Sequence, residues 1–238
     1  MGNHIIFSLR EFLFPHGCGG CSGILIDRED AYYGLCKECR IFLQTILEDR
    51  NRCTICGKSL ISEKNSCLSC RGKEKYNEWL INIKAIFPYT GKCKSVLGSY
   101  KFGKSLGIAN FLAQSLKYGI AGSEPETSRE AVLVPVPPKP GKIKKQGWDQ
   151  IEYLAKILDS CLPVYRCLKR LKSRNQKELN REEREKNLKG RILCVKPVPK
   201  TVIIFDDVIT TGATLNACAK ALLEGGAEKV HAICLFYD

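Results

Sequence analysis

The sequence predicts an α/β fold: a parallel β-sheet flanked by helices, preceded by a small cysteine-rich module of the zinc-ribbon kind. Three observations carry this. Eight cysteines fall as four Cys-x-x-Cys pairs between residues 18 and 70. After residue 80, short β-branched runs alternate with helical stretches, the pattern of βαβ units. Those runs are continuously apolar, as strands covered on both faces are.

Taken in order, residues 5–13 read as a short apolar helix that stops before Pro15. Residues 17–72 hold the cysteine pairs, and 73–80 form a polar linker ending at Trp79. Strands are expected at 81–87, 131–136, 201–205 and 229–236, and helices at 105–118, 147–159 and 214–224. The Pro/Lys-rich stretch 135–145 suits a loop. The expected division is a double zinc-ribbon domain at 1–80 and an α/β domain at 81–238.

The 238 residues carry 38 Lys+Arg against 25 Asp+Glu, a formal charge of +13, with 44% hydrophobic and 26% charged residues. That is globular composition and excludes global disorder. No apolar run approaches the roughly 18–20 residues of a membrane span. The N-terminus lacks a basic signal-peptide region, and Ile6 stands where a myristoylation signal needs Ser or Thr. The expected compartment is the cytoplasm, where disulfides are rare. The fourteen cysteines then call for a metal.

The pairs are Cys18/Cys21, Cys36/Cys39, Cys53/Cys56 and Cys67/Cys70. Two thiolates separated by two residues can reach one ion, and two such knuckles complete a tetrahedral sulfur shell. Gly19, Gly20 and Gly57 lie beside ligands, where tight turns favour glycine. Sequential pairing gives two structural Zn²⁺ sites; a cross-braced arrangement would join the first pair to the third. Two loaded sites would lower the charge from +13 to about +9. Four pairs in tandem argue against a redox motif. The other six cysteines (93, 161, 167, 194, 218, 234) sit in apolar surroundings and read as small buried hydrophobes. With only His4, His16 and His231, material for a Ser-His-Asp or Cys-His centre is scarce, and His231 falls in a predicted strand.

The sharpest signal is 202–215, Val-Ile-Ile-Phe-Asp-Asp-Val-Ile-Thr-Thr-Gly-Ala-Thr-Leu. A buried strand leads into two adjacent acids, a hydroxyl-rich loop around Gly212, and a helix ending at Gly225-Gly226. Ligands of open parallel sheets bind outside the carboxyl ends of the strands. The loop amides and the helix N-terminus can hold an anion there. Thr210, Thr211 and Thr214 can donate to a phosphate, and Asp206 and Asp207 can accept from vicinal hydroxyls. A phosphorylated sugar matches both halves. The string is neither a Walker loop nor a GxGxxG fingerprint.

At residues 202–214 the chain resembles the type I phosphoribosyltransferases and their signature for phosphoribosyl pyrophosphate (PRPP). The resemblance implies that Asp206 and Asp207 hold the ribose hydroxyls, as the catalytic acids, and that Thr210, Thr211, Gly212, Ala213 and Thr214 cradle the 5′-phosphate. It implies Mg²⁺ bridging sugar and pyrophosphate, and displacement of pyrophosphate at C1′ by a nitrogen nucleophile. Further residues narrow the resemblance to the ComF family, competence-associated proteins that join a zinc module to this domain. These are Leu13-Phe14-Pro15, Val134-Pro135-Val136-Pro137, Gly147-Trp148-Asp149-Gln150, and Arg170…Gln176…Leu179…Arg184…Asn187-Leu188…Gly190. The chain departs from the family pattern at Gln146 (usually Arg), Asp149 (usually Asn) and Arg191-Ile192 (usually Ala-Phe).

The basic excess lies in residues 139–191, which carry a net +9. Residues 166–191 suit a surface helix with Glu182/Lys186 and Glu185/Lys189 pairs. The resemblance instead suggests a mobile loop over the pyrophosphate using Arg170, Lys172, Arg174 or Gln176, with Pro135 and Val136 in a rigid loop nearby. A cis bond is one way to shape that loop. A third reading is a track for single-stranded DNA, extended by Lys139, Lys142, Lys144 and Lys145. Stacking platforms are sparse there, limited to Trp148, Tyr153 and Tyr165. Two functions follow: a phosphoribosyltransferase, or a non-catalytic adaptor in DNA uptake that contacts single-stranded DNA and a helicase.

Overall fold

The computed structural model describes residues 17–53, 58–68, 70–71, 79–103, 105–121, 131–171 and 191–238. In chain order the elements are α1 (Arg28–Tyr33), α2 (Lys37–Glu48), β1 (Ile83–Pro88), α3 (Gly91–Lys101), α4 (Ile108–Ala121), β2 (Val132–Pro135), α5 (Lys142–Gln146), α6 (Gln150–Leu158), β3 (Leu168–Arg170), β4 (Ile192–Cys194), β5 (Thr201–Ile209), α7 (Ala213–Glu224) and β6 (Lys229–Tyr237). The main sheet has the order β1-β6-β5-β2, with every neighbouring pair parallel. β3 and β4 form a separate antiparallel ribbon.

Alternation along β5 builds two cores. Ile203 and Phe205 join the apolar cluster under α3, α4 and α6, with Phe87, Leu112, Leu154 and Leu235. Val202 and Ile204 join the cluster under α7 and the β3–β4 ribbon, with Val134, Leu215, Leu222 and Val230. Both faces of the sheet are therefore covered, which is why its strands read as continuous apolar runs.

The helices bury stripes at helical spacing: Cys93, Val96, Leu97 and Tyr100 on α3, and Ile151, Leu154, Ala155 and Leu158 on α6. Asp149 caps α6, its Oδ1 accepting from the amides of Ile151 and Glu152 at 2.9 and 3.1 Å.

The first cysteine knuckle is not a detached appendage. Cys18, Leu35, Cys39 and Leu43 belong to the same apolar cluster as Val96, Leu97 and Ile108, and Ser99 Oγ donates to the Gly19 carbonyl at 3.1 Å. Within it, buried Arg40 donates to Asp30 Oδ1 at 2.6 Å and to the Leu35 carbonyl at 2.9 Å. Cys53, Leu60, Cys67 and Cys70 form a satellite cluster. It is tied to the sheet by Arg52, whose guanidinium donates to the Ile86 carbonyl at 2.6 Å.

Several expectations are corrected. Strand 201–205 runs on to Ile209, because pairing with β6 continues through Asp206↔Cys234, Val208↔Phe236 and Ile209↔Tyr237. Helix 147–159 is α6 alone, preceded by the separate short α5, with Gly147 at φ +78° closing α5. Helix 105–118 starts at Ile108 and ends at Ala121. No cis bond occurs among the described residues. Of the six single cysteines, 93, 167, 218 and 234 are buried; Cys161, in the turn after α6, is exposed, and Cys194, ending β4, is partly exposed. His231 is buried in β6, as expected. Helix 5–13, His4, His16, Cys56, Gly57 and the 182–189 pairs lie outside the described residues.

The sulfurs settle the pairing question in favour of sequential knuckles. Cys18, Cys21, Cys36 and Cys39 form one group and Cys53, Cys67 and Cys70 another, with the sulfurs of each within 4.8 Å of one another. Cys21 and Cys36 Sγ are 3.8 Å apart. A tetrahedral ion with bonds of about 2.3 Å needs sulfurs about 3.8 Å apart, so the first group fits a metal such as zinc. Burial raises the Cys18 thiol, but the amides of Cys36, Cys21 and Gly20 outweigh it and bring it down to about 7. Those amides stabilise a thiolate.

A Cβ on Gly20 would sit 2.8 Å from Cys39 Sγ, so Gly20→Ala should displace a ligand. Metal analysis of purified protein should then show about one equivalent fewer than wild type, and full metal content would count against this group as a site.

Candidate functional site

The crevice lies at the carboxyl ends of the parallel strands. β2 ends beside β5: Pro135 pairs with Phe205, and the Val136 amide donates to the Phe205 carbonyl at 3.1 Å. Pro135 and Val136 are thus one residue from the acids in register. β5 then runs through Asp206 and Asp207 to Ile209, and only Thr210, Thr211 and Gly212 separate it from α7.

Gly212 takes φ +73°, the left-handed conformation that glycine enters without Cβ strain, and it is the N-cap of α7. Gly212 has no side chain to cap the helix, and the first amide, of Ala213, donates to Thr211 Oγ1 at 3.4 Å. The N-terminus of α7, with its partial positive charge, thus begins at the carboxyl end of β5. Thr210 is exposed, while Thr211, Ala213 and Thr214 are partly exposed around the turn. The loop is partly exposed at the carboxyl end of β5, with Gly212 buried at its centre.

The adjacent acids have different neighbours. Asp207 is buried, and Lys101 at the end of α3 reaches its Oδ2 at 2.8 Å. Gln150 Nε2 donates to the same oxygen. Asp206 Oδ1 accepts from the Asp207 amide at 2.8 Å. Its wider surroundings include Arg170 on β3, itself near Cys218 on α7. The partners of Asp207 come from one covered face of the sheet, and Arg170 comes from the other.

Burial, and next the charge of Asp207, push Asp206 up to about 8, against the pull of the Asp207 amide, Lys101 and Arg170. The crevice thus holds a carboxyl that keeps its proton at neutral pH beside an ion-paired carboxylate.

Arg170, expected in a mobile loop over pyrophosphate, lies in the strand β3, which pairs with β4, and its charge acts on Asp206. Lys172, Arg174 and Gln176 lie outside the described residues. Lys144 and Lys145 are exposed, whereas Lys142 turns inward to Asp149. Sequence reasoning missed Lys101 and Tyr100. Their signal was the stripe 93, 96, 97, 100, which marks a helix ending at the crevice.

The proton on Asp206 ties stability to pH. Unfolded, an aspartate releases its proton near about 4; folded, Asp206 keeps it to about 8. The stabilisation is therefore complete below about pH 4 and is lost as pH rises through about 8. Asp206→Asn should melt progressively higher than wild type from pH 6 to pH 9, by a few degrees at the top. A pH-independent offset in thermal melts would contradict the shifted carboxyl.

Comparison with known proteins agrees with this geometry. Residues 170–238 match the phosphoribosyl transferase domain. The chain is 29% identical over 217 residues to competence protein ComFC of Streptococcus pneumoniae, covering 90% of this chain and 92% of that protein. It is 26% identical to competence protein F of Haemophilus influenzae, over 91% and 95% of the two chains. It is 25% identical to the DNA utilization protein YhgH of Escherichia coli K12, over 86% and 90%. With the paired-cysteine knuckles and a parallel sheet that presents the acid–threonine loop, this likeness over most of the chain's length supports the ComF family of phosphoribosyltransferase-like proteins as its kin.

Proposed function

We propose that the chain binds PRPP with Mg²⁺ in the crevice above β5, as a phosphoribosyltransferase-family protein serving DNA uptake in natural competence. The observation that supports this most is the Thr210–Thr214 turn, which follows the acid-bearing strand and enters α7 through Gly212 at φ +73°. In this reading the amides and hydroxyls of Thr210, Thr211, Gly212, Ala213 and Thr214 hold the 5′-phosphate. Asp206 and Asp207 hold the ribose hydroxyls, and Pro135 and Val136 border the pyrophosphate. Arg170 acts on Asp206, while Lys172, Arg174 and Gln176 complete the pyrophosphate side. Bound Mg²⁺ supplies charge neutralisation at the pyrophosphate. The chain itself contributes position and fixed dipoles for displacement at C1′ by a nitrogen nucleophile. Two structural Zn²⁺ ions fill the Cys18/Cys21/Cys36/Cys39 and Cys53/Cys56/Cys67/Cys70 sets, and residues 1–80 serve as their module.

The charge of +13 and the exposed Lys144 and Lys145 favour a second reading, a non-catalytic adaptor that keeps the PRPP site while contacting single-stranded DNA and a helicase. The two readings share the site and differ in turnover.

Calorimetry with Mg²⁺·PRPP should show saturable binding to wild type. Asp206→Ala combined with Asp207→Ala should abolish it while leaving zinc content unchanged; undiminished binding would refute the assignment. On the same preparation, any affinity for labelled single-stranded DNA should fall steeply from low to physiological salt, and a flat response would count against a phosphate track.

A further inference from the structure

Between α5 and β5 the polar side chains form one unbroken run. Lys142 Nζ lies 2.6 Å from Asp149 Oδ2 and also donates to Gln150 Oε1. The other Asp149 oxygen is committed to the α6 amides. The Gln150 backbone carbonyl accepts from Tyr100 Oη at 2.7 Å. Gln150 Nε2 reaches Asp207 Oδ2, the oxygen that Lys101 also holds.

An amide's two ends have similar shape and opposite chemistry. With its oxygen engaged by the Lys142 ammonium, Gln150 can present only its NH₂ to Asp207. Without Lys142, a half-turn of the amide would set oxygen against carboxylate. Asp149 keeps Lys142 in place, because Asn there would cap α6 equally well but leave the ammonium unbalanced. The acid at 149 thus holds the cation that orients Gln150. Among the described residues, both side-chain contacts to Asp207 fall on Oδ2, which leaves Oδ1 for a ligand.

We infer that Lys142, Asp149 and Gln150, joined by Lys101, form a positioning clamp on Asp207 that aims its free oxygen at the hydroxyls of a phosphorylated pentose. The sugar half of this inference rests on the proposed PRPP reading; the clamp itself does not. Lys142, Asp149 and Gln150 are positioning residues that act through Asp207.

Two readouts on the full chain test it. In the ligand-free protein, the side-chain amide resonances of Gln150, assigned by their loss in Gln150→Leu, should show one proton shifted by the carboxylate. That shift should collapse in Asp207→Asn and equally in Lys142→Met. In titrations with Mg²⁺·PRPP, Lys142→Met and Asp149→Asn should each weaken binding about tenfold, the effect of one charge-assisted hydrogen bond. The double variant should lose no more than either single one, because they remove the same interaction. Lys142→Arg should stay within about threefold of wild type, since it keeps the donor. Unchanged Gln150 resonances in Lys142→Met, or losses that multiply in the double variant, would overturn the clamp. If wild type gives no heat with PRPP, the ligand reading falls and the Gln150 resonances alone decide the clamp.

Discussion

Two neighbouring carboxylates on the central strand of a covered sheet cannot both carry full charge without partners. Backbone pairing fixes the problem in place: β5 stays bonded to β6 on both sides of the acids, at Asp206↔Cys234 and Val208↔Phe236, so the acids cannot swing out to solvent as loop residues would. Relief comes from elsewhere. Asp207 takes a lysine from α3 and an amide from α6. Asp206 keeps its proton, with Arg170 nearby. Strain of this kind is retained at sites that gain from it: a ligand with paired hydroxyls can satisfy oxygens that the apo protein satisfies only in part.

The cysteine module enters the same arrangement through α3. The flank of that helix carries Val96 and Leu97 into the core shared with Cys18, Leu35 and Leu43, and Ser99 bonds to Gly19. Its last residue is Lys101, on Asp207. One short helix therefore touches the first knuckle and the acid pair. A metal that fixes the knuckle fixes the surface on which α3 rests, which ties a structural ion to the placement of a crevice cation by contact alone.

How much of this was legible in the sequence follows from the range of the forces involved. The sheet strands showed because burial on both faces leaves nothing but apolar residues in them. The loop at 210–214 showed because an anion turn needs glycine and hydroxyls at fixed offsets. α3 did not show: Gly91 and Gly98 and its lysines dilute the apolar signal, and only the 93, 96, 97, 100 stripe, paired with a distant core, makes it a helix. β3 and β4, three residues each, are too short for a period to register. β5 was cut short at Phe205 because aspartates disfavour strands, and long-range pairing with β6 overrode that preference. Of the Lys142–Asp149–Gln150 run, only Asp149 stood out in the sequence, as a departure from a pattern; joining it to Lys142 required knowing that the Lys142 side chain reaches the start of α6.

The Lys101 contact also bears on binding versus turnover. In the proposed displacement, positive charge builds on the ribose as pyrophosphate leaves, as at any glycosidic centre. A bare carboxylate facing that charge would stabilise the transition state more than the ground state. Asp207 is not bare: an ammonium 2.8 Å away already draws on it, and Asp206 is held protonated near neutrality. Both features lower the negative field available to developing charge, while leaving oxygens able to bond with neutral hydroxyls. If the proposed sugar binds here, such a site suits holding it more than accelerating departure of its leaving group. Within the proposed PRPP reading, the electrostatics of the acid pair therefore favour holding the ligand over expelling its leaving group.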